Sequence, residues 1–309
     1  MKRFFCGISL VALATIAQAQ SPKNDPKLEA QIQSVIRGFR GEVGVYVRNL
    51  KTNKVVRINA DTLFPTASLV KIPIQCGLFD KMTKDKTLQY GGTLTYKDSL
   101  HYDEGVTGSL KDGTKITLST VVMLMETISD NTASLWCQAL AGGGKNINEW
   151  LEKNGFVHTR VNSRTLGREA NRARYGWGQT TPQEMAELLA MIRQGRAVSA
   201  DASDRMYRNL TRQYWDGEGL SQLAPEVKVA AKNGAVNRSR SEVVLVHAPH
   251  GDYVYCVITK NNQDESWKAD NEGFVLLRKI SKLLWNYYEP KRPWTPPVGF
   301  DKWYQEAEE

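Results

Sequence analysis

Residues 242–260, Glu-Val-Val-Leu-Val-His-Ala-Pro-His-Gly-Asp-Tyr-Val-Tyr-Cys-Val-Ile-Thr-Lys, decide the fold. Two runs rich in Val, Tyr and Ile, Glu242–His247 and Asp252–Lys260, are broken by Ala248-Pro249-His250-Gly251, a turn that neither strand can run through. They read as a hairpin apolar enough to be largely buried. Near the other end, alternating runs Glu42–Leu50 and Lys54–Ala60 flank a Lys-Thr-Asn turn and read as a second hairpin, behind a helix near Lys27–Phe39. After the far hairpin, Phe274, Leu277, Ile280, Leu284 and Tyr287/Tyr288 recur at helical spacing until Pro290 stops them.

Between these ends the chain reads helical. Thr117–Ile128 carries Val121, Val122, Leu124 and Met125, and Thr132–Leu140 ends at the triple glycine Gly142–Gly144. Thr181-Pro182-Gln183-Glu184 combines a threonine cap, a first-turn proline and a glutamate three residues on, a strong helix start. Met185, Leu188, Leu189 and Ile192 then line one face as far as Gly195. The expected fold is α/β (α+β): an antiparallel sheet built from both chain ends, flanked by helices, with an inserted all-helical domain. Residues 20–60 and 205–289 would form the sheet-containing part, 61–204 the helical part, and 290–309 a Pro-rich tail that is either a covering arm or a disordered end.

The 309 residues carry 41 Lys+Arg against 33 Asp+Glu and are 41% hydrophobic, which excludes a disordered or collagen-like chain. Lys2-Arg3, the apolar run Phe4–Ala17 and Ala17-Gln18-Ala19 have the three-part layout of a secretory signal over residues 1–19. Its apolar run is too short for a membrane span, and Cys6 sits inside it rather than behind small residues at its end, against a lipid anchor. A periplasmic or secreted protein without membrane anchor is expected. Three cysteines follow the signal (Cys76, Cys137 and Cys256), so at least one is free or pairs between chains. Removing the signal lowers the formal charge by two, to +6. The densest basic stretch, Arg160, Arg164, Arg168, Arg172 and Arg174, is interrupted by Glu169 and lacks any recognition-module pattern. It reads as solvated or loop-bracing rather than as a nucleic-acid surface.

Three short segments carry chemistry. Ser68-Leu69-Val70-Lys71 is the only Ser-x-x-Lys in the chain, and Thr66 and Pro73 place it at a helix start. Residues three apart share a helix face, so the Lys71 amine can reach the Ser68 hydroxyl. A serine needs a base to become a nucleophile, and a desolvated lysine near another cation is neutral enough to serve. Ser129-Asp130-Asn131 lies between two helical patterns, where it can present side chains into a cleft or simply cap a helix. Lys232-Asn233-Gly234 follows the apolar run Val227–Ala231 on a predicted strand edge, where glycine permits close backbone approach. The same tripeptide at Lys153-Asn154-Gly155 closes a helical pattern, and its glycine reads as a helix C-cap.

Taken in order and separated by 61 and 103 residues, these segments resemble the class A β-lactamases and related penicillin-recognising serine hydrolases. The Ser-Asp-Asn-Thr-Ala run at 129–133 and the Ala-Gly-Gly-Gly after the next helix add to the likeness. The resemblance implies that Ser68 attacks an amide carbonyl, with Lys71 taking its proton directly or through water. Ser129 would relay a proton to the departing nitrogen, helped by Lys232. Backbone N–H groups of Ser68 and Ala235 would form the oxyanion hole, and Asn131 would hold the substrate's side-chain amide. Lys232, Asn233 and Arg240 or Arg238 would meet a substrate carboxylate, with Gly234 allowing the strand to approach.

Two positions depart from the family's pattern. Asn233 stands where Thr or Ser is usual. The family's water-activating glutamate precedes a loop asparagine by four residues, and alignment on Asn171 puts Gly167 there, with Glu169 only two residues away. Glu169 is the candidate base for the water, or else an ion-pair partner of Arg168 or Arg172. His247 and His250 flank a turn without a third nearby ligand, so a plain turn is preferred to a metal site, and Tyr102 and Trp177 are candidate aromatic walls. The expectation is a β-lactamase-like exported serine hydrolase acting on a β-lactam or peptidoglycan-like peptide, a monomer with no metal or cofactor. The alternatives are a D-Ala-D-Ala peptidase or esterase of the same fold, and a non-turnover penicillin-binding protein.

Overall fold

The computed structural model describes residues 21–300; the expected signal at residues 1–19 lies outside the described residues, as does the end of the tail. Near the start come β1 (Lys23–Asn24), α1 (Pro26–Ile36), β2 (Glu42–Asn49) and β3 (Lys54–Ile58). Asp25 caps α1 by accepting the Leu28 N–H at 3.3 Å. From the far end come β9 (Val229–Val236), β10 (Ser239–Val246), β11 (Tyr253–Lys260) and α9 (Glu272–Tyr288). These strands form one six-stranded sheet in the order β1-β3-β2-β11-β10-β9. All neighbours pair antiparallel except the short β1 with β3.

Both strands of the 242–260 hairpin lie inside the sheet, between β2 and β9, and both their faces are apolar. Val243, Leu245, Val254, Cys256 and Ile258 belong to the larger core, while Val244, Val246, Tyr253, Tyr255 and Val257 join the smaller one on the opposite face. This is the period-two alternation of a strand with both sides covered, each such side chain contributing about 1.5–3 kcal/mol by burial. On the smaller side lie α1, through Leu28 and Ile32, and α9, through Leu276, Leu277, Ile280 and Leu284.

The larger side carries the inserted helices. A short strand β4 (Phe64–Pro65) leads through a 3-10 turn at Ala67–Val70 into α2 (Lys71–Lys84). The first nine residues of α2 are all buried, which makes it the central helix of this part. A methyl added at Gly77 would meet Ile147 at 2.6 Å, so glycine there lets a neighbouring helix close on α2. The pair β5 (Thr93–Thr95) and β6 (Lys115–Thr117) precedes α3 (Leu118–Thr127), α4 (Asn131–Leu140) and α5 (Gly143–Lys153), the last carrying Ile147. Asn154 ends α5 and Gly155 follows at φ +84°, the C-cap expected of the earlier Lys-Asn-Gly.

Strands β7 (Arg160–Val161) and β8 (Gly178–Thr180) flank α6 (Glu169–Tyr175), and α7 (Pro182–Arg193) and α8 (Ala200–Leu210) return the chain to the sheet. Thr181 caps α7 by accepting the Glu184 N–H at 3.1 Å. The Glu184 carboxylate does not complete a reciprocal capping box. It accepts instead from the backbone N–H groups of Val157, His158 and Thr159 and from the Thr159 hydroxyl, tying the preceding loop to the helix.

The described part of the tail is tied back by two indoles, Trp285 donating to Arg292 O at 2.6 Å and Trp294 reaching Ser221 O at 3.5 Å. Cys76, Cys137 and Cys256 are all free and buried.

Candidate active site

The three segments converge where the 3-10 turn, the α3–α4 loop and the edge strand β9 meet. β4 pairs with β8, and Thr66 N donates to Gly178 O at 3.0 Å, which fixes the entry to the turn. Ala67 then adopts φ +44°, a left-handed conformation that costs a non-glycine residue about 1–3 kcal/mol and is held by its surroundings. In a 3-10 turn residues three apart eclipse one another, so Lys71 stands over Ser68. Its Nζ lies 3.0 Å from Ser68 Oγ, 2.9 Å from Ser129 Oγ, 2.6 Å from Ser129 O and 2.8 Å from Asn131 Oδ1, four oxygens around an amine with at most three protons to give. Lys71 is wholly buried. That burial, followed by the charge of Lys232, holds its pKa well below the usual lysine value, while Glu126, Asp130 and Asp103 oppose the shift.

Ser129 is presented on a loop clamped from outside. The last carbonyls of α3 are taken in succession: Glu126 O by Gln213 Nε2, Thr127 O by Tyr214 N and Ile128 O by Trp215 Nε1. The chain then turns through Ser129 at φ +63°, which aims both its hydroxyl and its carbonyl at Lys71. Asp130 does cap α4, one oxygen accepting Ala133 N at 2.7 Å and the other Thr107 N at 2.8 Å. Capping and active-site geometry thus share one tripeptide. Asn131 is oriented from behind, its Nδ2 donating to Asp103 Oδ2 at 2.7 Å.

From β9 comes Lys232, also fully buried, whose Nζ donates to Asn233 O at 3.1 Å and Asn233 Oδ1 at 3.3 Å. Burial lowers its pKa, and the carboxylates of Glu126, Glu218 and Glu242 work against that lowering. Asn233 Nδ2 faces Glu218 Oε2 at 3.4 Å. Gly234 passes so close to the 3-10 turn that a Cβ there would lie 2.9 Å from Ser68 N and 3.0 Å from Thr66 O. Ser68, Asn131 and Ala235 open onto a cleft of about 600 Å³, walled by Tyr102 and Trp177, whose rings meet edge to face at 5.0 Å.

Two sequence expectations are corrected. Arg240 does not reach the cleft. On β10 its neighbours Ser239 and Ser241 face the Ser68 side, Ser239 lining the cleft and Ser241 Oγ bonding Gly234 O, so alternation turns Arg240 to the opposite face. There its guanidinium donates to Val236 O, Ser239 O and Ser266 O, between the rings of Trp267 and Phe274. Arg238, in the β9–β10 turn, is the arginine that lines the cleft. Glu169 is exposed at the start of α6, accepts the Gly167 N–H at 3.1 Å and is absent from the cleft lining. Its loop is braced instead by Arg168, which bonds Asn162 and Gln179, and by Asn171, which bonds Gln179.

His247 pairs with Asp252 at 2.9 Å and His250 with Glu289 at 2.6 Å, so the two histidines serve separate carboxylates. Among the described residues no group of three His, Cys, Asp or Glu side chains is placed to hold a metal. One residue of the site went unseen in the sequence reading: Glu126, fully buried on α3, with neither carboxylate oxygen hydrogen-bonded among the described residues. Its signal was the single charged side chain in the helical run Thr117–Ile128, beside Met125.

Residues 27–288 match the model of the Beta-lactamase enzyme family. Beta-lactamase VEB-1 of Pseudomonas aeruginosa is 20% identical over 274 residues, 84% of this chain and 90% of that protein. A beta-lactamase of Bacillus licheniformis is 25% identical over 288 residues, 88% of this chain and 91% of that protein. Among solved structures, a leucine-to-glutamate mutant of PBP-A, an acyl-enzyme complex with penicillin G, superposes with a TM-score of 0.77 at 25% identity, covering 88% of this chain and 99% of that one. A class A beta-lactamase from Mycobacterium abscessus shares the fold with a TM-score of 0.75 at 18% identity, covering 84% and 99%.

Proposed function

The chain belongs to the β-lactamase enzyme family, and on that premise we propose that it opens a β-lactam ring through an acyl intermediate on Ser68. The observation that carries this reading is the buried Lys71 Nζ held 3.0 Å from Ser68 Oγ and 2.9 Å from Ser129 Oγ. Lys71 in its neutral form takes the Ser68 proton, the alkoxide attacks the lactam carbonyl, and Ser129 passes a proton to the departing nitrogen. The N–H groups of Ser68 and Ala235 receive the oxyanion. Asn131 holds the substrate's side-chain amide, and Lys232, Asn233 and Arg238 meet its carboxylate.

Hydrolysis of the acyl-enzyme is the slow step in this proposal. Among the described residues lining the cleft the one carboxylate is Glu42, which pairs with Lys260 at 3.2 Å, and Gly167 and Glu169 supply no base. That same observation favours a second reading, a penicillin-trapping protein; a leucine-to-glutamate mutant of PBP-A, of similar fold, is recorded as an acyl-enzyme complex with penicillin G. Penicillin G followed by intact-mass measurement separates them: an adduct that decays with turnover supports the lactamase, a stable one-to-one adduct supports the trap. Absence of any adduct rejects both and leaves peptide or ester substrates. No helix among the described residues is long and apolar enough to cross a membrane, and the proposal includes export of a monomer directed by residues 1–19.

A further inference from the structure

We propose that Glu126 is a positioning residue of the lysine pair, its buried carboxylate deciding how firmly Lys71 and Lys232 hold their protons. It stands on the last turn of α3, whose carbonyls the 213–215 segment clamps, so its backbone is fixed. The side chain is wholly buried and neither oxygen has a hydrogen-bond partner among the described residues. A carboxylate in such a place is costly unless compensating charge lies nearby. Here the compensation is Lys71 from α2 and Lys232 from β9, each of which feels Glu126 and is favoured in its charged form by it.

The other titratable groups around this spot do not substitute for it. α2 also presents Cys76 and α4 presents Cys137, both thiols that burial pushes far up and keeps neutral. The buried side chains of α8 are Ala202, Ser203, Met206, Asn209 and Leu210, none of them titratable. Asp130 and Asp103 act on Lys71 but are engaged with Ala133, Thr107 and Asn131, while Glu218 and Glu242 act on Lys232 from the far side of β9. Glu126 is therefore the carboxylate that both lysines share.

Two ammonium groups in one dry pocket repel, and without a negative charge one of them gives up its proton at lower pH. Burial pushes the Glu126 carboxyl up to about 7, against the pull of Lys232 and Lys71, so its charge is in place above that pH; there it keeps Lys232 cationic for a substrate carboxylate while Lys71 remains depressed enough to act as a base. The carboxylate acts through its field rather than as a tether, since it makes no hydrogen bond with either amine. Neutralising it should therefore move titrations without unmaking contacts.

The test uses the full-length mature protein labelled with carbon-13 at the lysine Cε, with Lys71 and Lys232 signals assigned by arginine replacement. In Glu126→Gln both lysines should titrate at lower pH by about one unit. Glu126→Asp, which keeps the charge but withdraws it by one methylene, should shift them in the same direction by less. Midpoints unchanged in Glu126→Gln, or in Glu126→Asp should the glutamine variant not fold, overturn the proposal. On the proposed function, the acidic limb of penicillin G acylation moves down with the Lys71 midpoint in Glu126→Gln. A wild-type protein that forms no adduct counts against the reading of Ser68, not against Glu126, because the lysine titration needs no substrate.

Discussion

Ser68 is half-buried at the mouth of the cleft and makes its one side-chain bond to Lys71, so deleting its hydroxyl removes chemistry and little else. Ser68→Ala should abolish the penicillin adduct while leaving the thermal midpoint near the wild-type value; a retained adduct by mass would remove Ser68 from the mechanism. Gly234 is the opposite case, since its role is to have no side chain. A methyl there would lie 2.9 Å from Ser68 N and 3.0 Å from Thr66 O, backbone atoms that cannot step aside. Gly234→Ala should lower acylation about a hundredfold or more by parting the two oxyanion donors, at a stability cost of about 1–3 kcal/mol. Rapid-mixing acylation kinetics and a denaturant titration check the two halves. At this scale the sequence named Ser68, Lys71, Ser129 and Lys232 from short local motifs, and the structure brings Ser68, Ser129 and Asn131 onto a single amine. It could not name Glu126, because a buried glutamate is marked only by what surrounds it.

Helix α7 shows what an element's own sequence can and cannot specify. The Thr181-Pro182-Gln183-Glu184 start does begin a helix, with Thr181 as cap, yet Glu184 serves four donors of the 157–159 loop rather than the cap. Thr181→Ala should cost about 1 kcal/mol, the usual worth of a cap. Glu184→Ala should cost more, about 2–3 kcal/mol, because it strands several donors that share one charged acceptor. Chemical denaturation of both variants tests the order, and equal losses would restore the simple capping role. Strand β10 carries the corresponding lesson for the site. Both Arg238 and Arg240 suited a carboxylate as residue types, but Arg240 lies within the strand and follows its alternation, whereas Arg238 lies in the turn, free of it. α6 likewise begins at Glu169 and folds that carboxylate back onto Gly167 N, away from the cleft.

Across the whole molecule, the sheet buries charge as well as apolar surface, and this gives stability a distinctive dependence on pH. Glu242, on strand β10 beside the edge strand β9, is pushed up from 4.5 to about 8, by burial first and then by Glu218, against the N–H bonds it receives from Gly219 and Leu220. Between those two values the folded protein binds more protons than the unfolded chain, so this contribution to stability falls as pH rises from 4.5 to about 8. Glu126, raised by burial, adds to the same slope. Thermal midpoints measured across that window should decline, and Glu242→Gln should flatten the decline; an unchanged slope in the variant would place the effect elsewhere. The sequence by itself determined the two hairpins, the helices with a clear apolar period, the assembly of one sheet from both chain ends, and the three motifs, because periodicity and close spacing are properties of neighbours along the chain; the short strands β4–β8 and the helices α6 and α8 carried no such pattern. Tertiary structure alone decided which arginine faces the cleft, where Glu169 points and which carboxylate the two lysines share. Those outcomes depend on strand alternation in a fixed register and on dry packing between segments far apart in the chain, where the environment of a charge is set by residues that no local pattern connects.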